Sequence, residues 1–334
     1  MINWACRIVN LALVLALCVV LLGGWTRINN AGLSCPDWPG CYGRMIVPQL
    51  EQERVKAQSV FPETPLEPKK VWLEMGHRYL AGTLGVLIAL LGFIAFKMRK
   101  TVGYPVRGSY LLLLLVVFQA VFGMWTVTLK LLPQVVTIHL LGGVLTLTGL
   151  VLIRQRIIQI VEKNVLVKGA ASKWILGAIL VLFIQIVLGG WTSSNYAGYG
   201  CNDWLVCNDT MNLQPDFKEG FDVFAPIGPN YQSGVLSIEG RAAIQIVHRV
   251  GAAVVLVYCM GLIAYLAVTT MLRVPLVVLA LTLICQVAIG GLAAELSIPA
   301  SLAILHHFCA ILLLFGLLWL YSNVLVLNEG DENE

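Results

Sequence analysis

Eight runs of apolar residues, at roughly 8–24, 76–96, 109–128, 134–153, 174–191, 242–268, 274–293 and 301–323, constrain this chain more than any other feature. Each is near the ~20 residues that a helix needs to cross a hydrocarbon core. Inside that core every backbone N–H and C=O must be paired within the protein, which a helix does by itself. Composition agrees: 58% of the 334 residues are hydrophobic and 12% are charged, against about 25% charged in a soluble protein. Glycines interrupt several runs, as membrane helices tolerate. The sequence therefore predicts an all-α polytopic membrane protein with eight transmembrane helices. The first run has one basic residue ahead of it, Arg7, and no small-x-small cleavage site. It also has a counterpart at 174–191, so it reads as a permanent helix rather than a signal peptide.

Lysines and arginines in the short connections set the expected orientation. Lys97, Arg99, Lys100 and Arg107, then Arg154, Arg156, Lys163, Lys168 and Lys173, then Arg273 all fall on the side of the N-terminus. The opposite short links carry Lys130 and Glu295. Both termini are thus expected in the cytoplasm, with two long loops, about 25–73 and 192–240, on the outer face of the membrane. Trp25, Trp38, Trp191 and Trp204 read as interface anchors, and the acidic tail NEGDENE as a solvated end. Lipid is an expected partner and nucleic acid is not.

The chain also repeats itself. Residues 23–41, GGWTRINNAGLSCPDWPGC, and 189–207, GGWTSSNYAGYGCNDWLVC, agree at 11 of 19 positions at an offset of 166. After each such loop comes a helix carrying His-Arg (EMGHR at 74–78, QIVHR at 245–249). A Gln-x-x-x-Gly step follows (Gln119 to Gly123, Gln286 to Gly290), then a helix with a histidine near its start (His139, His306). Four helices per half is an even number, so the halves have the same orientation and are expected to be parallel repeats. The expected organisation is an N-terminal four-helix bundle at 1–153, a cytoplasmic linker at 154–173, a C-terminal four-helix bundle at 174–323 and a tail at 324–334. Cys35 with Cys41 and Cys201 with Cys207 share C-x5-C spacing in the outward loops. An oxidising compartment permits a disulfide in each; metal binding is the competing reading, although the loops hold no histidine. Cys6, Cys18, Cys259, Cys285 and Cys309, in or beside apolar runs, read as small core residues.

All five histidines, His77, His139, His248, His306 and His307, fall inside the apolar runs. Ionisable groups there are costly and point to function. Four of them sit at repeat-equivalent positions, two per half, each a few residues from the outer end of its helix. Two imidazoles facing each other in a helix bundle suit the axial ligation of heme iron. Gly76, Gly82, Gly142 and Gly143 would leave room for a macrocycle, and Arg27, Arg78, Arg241 and Arg249 could pair with its propionates. His307 has Leu140 as its equivalent and reads as packing or as support for a ligand.

The halves differ at one position that matters. Glu74 lies one turn before His77 on the same helix face, while Gln245 stands before His248. A carboxylate can accept a proton or stabilise developing positive charge, whereas an amide cannot take that role. The asymmetry points to chemistry in the first half and a fixed electron-transfer heme in the second.

Taken together, GGWTRINNAGLSCPDWPGC, EMGHR, TIHLLGG, the second cysteine loop, IQIVHR and LHH resemble the heme A synthase family over nearly the whole chain. The resemblance implies that Glu74 is the catalytic carboxylate and that His77 and His139 ligate the substrate, heme O. It implies that His248 and His306 ligate a resident heme b, and that both cysteine loops carry disulfides. The reaction implied is oxidation of the heme O C8 methyl to a formyl group through successive hydroxylations, for terminal oxidase assembly. A heme O synthase as donor, an electron acceptor and a homo-oligomer are the partners it implies. The charged stretch 50–70 departs from the pattern and reads as a cover for the first bundle or as a solvated linker. A diheme electron carrier resembling cytochrome b is the main alternative, but it has no evident need for Glu74. A thiol–quinone oxidoreductase would leave the histidines idle. A transporter would want buried acidic residues, which are nearly absent.

Overall fold

A computed structural model of the chain describes residues 1–162, 165–166, 171–201, 207, 214–270, 272–324 and 326–327. Trp204, Lys163, Lys168 and the acidic tail at 328–334 lie outside the described residues. In chain order the helices are α1 (Ile2–Ile28), α2 (Glu51–Val60), α3 (Pro68–Lys97), α4 (Val106–Thr128), α5 (Pro133–Glu162) and α6 (Ser172–Ser194), followed by α7 (Phe217–Gly220), α8 (Ile238–Thr269), α9 (Arg273–Glu295) and α10 (Ala300–Val324). All except α2 and α7 are long and apolar enough to span a bilayer, eight among the described residues, so this is a multi-pass membrane protein. Two two-residue strands, β1 (Val165–Leu166) and β2 (Val326–Leu327), pair antiparallel beyond the ends of α5 and α10.

The helices outrun the apolar runs, and the extra turns matter. Helix α3 starts at Pro68, where a proline has no useful N–H to lose, and so takes Glu74 and Met75 into a regular helix. Helix α8 starts after Ser237, whose hydroxyl accepts the Gly240 N–H at 3.1 Å, a cap that stabilises by about 1 kcal/mol. Its first turns therefore carry Gln245 and His248 toward the interior.

Packing separates two cores. Helix α1 packs on α3 and α5, and α4 closes the ring by packing on the same two. Along α1 the fully buried positions are Ala5, Val9, Ala12 and Ala16, small residues three or four apart that let helices approach closely. They meet Leu84, Ile88 and Leu91 of α3 and Leu147 and Leu150 of α5 in one continuous core. In the same way α6 packs on α8 and α10, and α9 on both. There Ile175, Leu262, Leu266, Leu279 and Leu317 form a second core. Contacts between the two sets run through α5 with α6, α1 with α10 and α5 with α10.

At the end where the cysteine loops lie, the second long loop is tied to the first loop and to the link and helix start at Lys130 and Gln134. The Tyr231 N–H donates to the Lys130 carbonyl at 3.0 Å, the Gln232 amide to the Asn30 carbonyl at 3.0 Å, and the Gln134 amide to the Val223 carbonyl at 2.8 Å. The stretch 50–70 is no free linker: it forms α2, and its Ala57, Phe61 and Leu66 pack on Cys35, Cys41, Tyr42 and Met75. Burial and nearby carboxylates push the Tyr42 phenol up to about 12, so it stays neutral and donates to the Thr64 carbonyl at 3.2 Å. Three residues expected elsewhere need correction. Trp191 is buried, not an interface anchor, because its indole N–H donates to the Gly220 carbonyl at 2.9 Å and its ring packs on Ala197 and Ile244. Cys18 and Cys285 are exposed on the outer surface of the helix bundle, while Cys259 and Cys309 are buried as expected.

Candidate functional site

Four of the histidines are seated against glycines. A Cβ on Gly23 of α1 would lie 2.8 Å from His77 Cε1, and one on Gly123 of α4 would lie 3.3 Å from His139 Cε1. In the other half, a Cβ on Gly189 of α6 would lie 3.4 Å from His248 Cε1, and one on Gly290 of α9 would lie 2.7 Å from His306 Cε1. Each ring thus occupies space that a side chain on the preceding long helix would fill. The glycines named from the sequence do other work: Gly142 makes room for the Gln119 amide, Gly143 lies under Val20, and Gly82 is open. The histidine-facing glycines were legible in principle, since Gly23 and Gly189 open the duplicated GGWT stretch and Gly123 and Gly290 end the Gln-x-x-x-Gly steps. Gly290→Ala should cost about 1–3 kcal/mol of ligand affinity through this overlap. It is read as a several-fold lower heme-to-protein ratio with an unchanged yield of folded protein.

His77 and His139 face each other with ring centroids 6.5 Å apart and planes at 85°. Two metal–nitrogen bonds of about 2 Å each, plus the half-widths of the rings, account for a separation of this size. Nδ1 of His77, His139 and His306 is buried without a hydrogen-bond partner, as is Nε2 of His307. Unpaired buried ring nitrogens are unusual, and a metal bound at the other ring nitrogen would fix ring orientations that no hydrogen bond fixes here. Among the described residues, no three His, Cys, Asp or Glu side chains gather as a protein-only metal site. A two-histidine pair therefore fits a metal that brings its other ligands with it, as a heme does. In the second half the Gln286 amide lies 3.1 Å from His306 Nε2, and the Gln185 amide 3.1 Å from His248 Nδ1.

Glu74 is 4% exposed and fully engaged. Its Oε2 accepts the Cys35 N–H at 2.8 Å, and its Oε1 pairs with Arg78 one turn along α3. Arg78 also donates to the carbonyls of Asp37 at 2.8 Å, Pro39 at 3.3 Å and Gly40. Those three residues lie inside the ring closed by the Cys35–Cys41 disulfide, whose Cα atoms are 4.8 Å apart. A short covalent loop of this size stabilises by about 2 kcal/mol on the chain-entropy account. The acid, the arginine and the loop form one unit, which sequence spacing did not reveal. The second pair, Cys201 and Cys207, is bridged in the same way with Cα atoms 4.7 Å apart. Its equivalent of Glu74, Gln245, is buried with its Oε1 unpartnered.

Other proposed propionate partners are also tied to the loops. Arg27 donates to the carbonyls of Ser193 at 2.6 Å and Ser194 at 3.3 Å and stacks over Tyr196 at 3.9 Å. Its Nε remains buried without a partner. Arg241 donates to the carbonyls of Leu236 at 3.1 Å and Ser233 at 3.5 Å, while Arg249 follows His248 directly on α8. His307 packs where α10 meets α1, with its Cδ2 3.7 Å from a Cβ placed on Gly24.

Comparison with known proteins gives the family. The COX15-CtaA family model, described as cytochrome oxidase assembly protein, matches residues 6–318. A heme A synthase of Shewanella oneidensis is 40% identical over 318 residues, covering 94% of each chain. A heme A synthase of the Wolbachia of Culex pipiens is 28% identical, covering 90% of this chain and 92% of that protein. One of Allorhizobium ampelinum is 25% identical, covering 89% and 84%.

Proposed function

The chain belongs to the COX15-CtaA family, the family of the heme A synthases, and on that premise we propose that it oxidises the C8 methyl group of heme O to a formyl group. It is an enzyme of heme A biosynthesis, with a heme-related substrate. The reaction we assign is two successive hydroxylations, each a two-electron oxidation of the methyl carbon, followed by loss of water from the resulting diol. The observation that carries the reading is the unequal pair of sites: two histidine pairs of like construction, with one carboxylate, Glu74, beside the first.

In this reading His77 and His139 hold the substrate heme from its two faces and fix it within the first bundle. Glu74 accepts a proton from the reacting carbon's side of the site or stabilises the positive charge that develops there. Burial strengthens both effects, because few competing dipoles remain. Arg78 and the Cys35 N–H keep the carboxylate from rotating, and α2 helps close the loop end against water. Arg78 serves Glu74 here, leaving Arg27, Arg241 and Arg249 to meet propionates. A resident heme b between His248 and His306 would supply electron transfer, and Gln245 leaves that site without an acid for chemistry.

We further assign the two halves as parallel repeats about an axis normal to the membrane. Arg27 bonds to Ser193, and the Tyr196 hydroxyl donates to Asn30 Oδ1 at 2.7 Å; both pairs are 166 residues apart, the repeat offset itself. A residue can touch its own equivalent only near a two-fold axis. Gly24 against Ile304 and His307, and Gly190 against Thr137 and Leu140, are matching cross-contacts on either side of it. The bacterial inner membrane, cytoplasmic termini and outward cysteine loops complete the reading, supported by the basic short links. A heme O synthase is the expected donor, an oxidant must accept the electrons, and self-association is compatible with this fold. Titrating purified protein with heme O tests the assignment. A second heme should bind on top of the resident one, be lost in His77→Ala and survive in His306→Ala; binding unaffected by His77→Ala contradicts it.

A further inference from the structure

Each long loop carries a group of exposed apolar side chains that the histidine sites do not use. In the first loop Ile46 is 70% exposed, with Met45 beside it. In the second, Phe224 is 89% exposed and Ile227 72%, and no charged residue stands from Val223 to Ile238. Single exposed apolar residues are ordinary, whereas groups of them mark a surface that something covers. The way each tip is fastened shows where it lies. The Tyr79 hydroxyl donates to the Met45 carbonyl at 2.6 Å. Along α3, Tyr79, Val86 and Phe93 are spaced by seven residues and all exposed, so they form one stripe of the helix, and on a membrane span such a stripe meets lipid. A tyrosine on a helix leans toward the N-terminal end, which in α3 is the loop end, and there tyrosines mark the membrane–water boundary. The second tip is tied in the same manner. The Gln134 amide donates to the Val223 carbonyl at 2.8 Å, with the Ala225 carbonyl 3.5 Å away. Gln134 stands in the first turn of α5, and Ile138, Leu145 and Leu152 continue its face as an exposed stripe.

We propose that both tips, Met45 with Ile46 and Val223 with Phe224 and Ile227, dip into the lipid leaflet on the cysteine-loop side and dock the two loops on the bilayer. Both hang from the loop end of a lipid-facing stripe, on α3 and on α5. A bilayer surrounds every span, so it covers both tips at once without a further component. The charges that flank them stay in water: Arg44 is exposed and pairs with Glu53 at 2.5 Å, and Asp222 is exposed and accepts the Phe224 N–H at 2.9 Å. The first tip is also continuous with the disulfide loop, because Arg44 exchanges backbone hydrogen bonds with Cys41 at 2.7 and 3.2 Å. Lipid contact at Met45 and Ile46 therefore braces the loop whose Cys35 N–H and carbonyls hold Glu74 and Arg78. This holds whichever reaction the first bundle performs.

The test places the full-length protein in nanodiscs of phosphatidylethanolamine and phosphatidylglycerol. Cys6, Cys18, Cys259, Cys285 and Cys309 are replaced by alanine, and one nitroxide label is attached at Ile46→Cys, Phe224→Cys or Ile227→Cys. Collisions of the label with oxygen, which concentrates in lipid, are compared with collisions with a water-soluble nickel chelate. The ratio at all three positions should approach that of Val86→Cys on the α3 stripe and exceed that of Lys218→Cys on α7 several-fold. A ratio equal to that of Lys218→Cys at either loop overturns the proposal, since the tip then lies in water. So does shielding from both reagents, which would mean a second copy or another protein as the cover. Where the alanine background does not fold, the unaltered chain decides. Met1, Met45 and Met260 are comparably exposed on the protein. In nanodiscs periodate, an anion confined to water, should convert Met45 to the sulfoxide several-fold more slowly than Met1 and nearer the rate of Met260, which lies within the α8 span. Equal rates at Met45 and Met1 overturn the proposal.

Discussion

Glu74→Gln should lower conversion of heme O by about 10²–10⁴-fold, the range expected for loss of a positioned acid–base group. The substitution is nearly isosteric. Its amide oxygen still accepts the Cys35 N–H, and Arg78 still holds the carbonyls of Asp37, Pro39 and Gly40. The loop should therefore remain in place, and so should both histidine pairs. What disappears is the negative charge. The discriminating readout is the pair of measurements together: heme bound per chain unchanged, product per chain nearly gone. Full conversion by Glu74→Gln would remove the carboxylate from the mechanism. Loss of bound heme as well as product would mean that Glu74 acts through structure.

His248→Ala should reduce the tightly held heme from about one per chain to near none, because one of its two axial ligands is replaced by a methyl group. Gly189 lies against the ring, so alanine opens a cavity without a clash. Deleting a side chain of this size from a packed interior costs about 2–5 kcal/mol, and the two separate cores should keep the first half folded. Absorbance spectra of purified protein and extracted heme check the result. His77→Ala provides the contrast, since it should keep the resident heme and lose only the binding of added substrate.

Much of this was legible before any coordinates. The eight spans follow from the length of the apolar runs, and errors at their ends were of a few residues. They were larger at the start of α3, where Pro68 opens a helix through polar residues, and at the end of α5, which runs on through Arg154 and Arg156 to Glu162. The histidine pairs and both cysteine pairs emerged because a duplicated sequence marks its own working positions. What stayed hidden was contact across long separations. Glu74 with Arg78 is an i,i+4 pair that helix geometry allows, but the Cys35 N–H lies 39 residues away. The packing of α2 and the turn after it over the disulfide depends on Ala57, Phe61 and Leu66, too sparse a pattern to read within a charged segment. Trp191 failed as an interface anchor because α7 covers it. A tryptophan near a span's end says nothing of what folds back onto it.

The most direct test of the central claim is to identify the hemes made by cells that express this chain together with a heme O synthase. Extracted hemes would be separated by chromatography and assigned by mass. The account predicts heme A or its hydroxylated intermediate, absent from cells that lack the chain. Only heme B and heme O, recovered from folded protein loaded with heme, would contradict it and leave a diheme carrier that changes neither of its hemes.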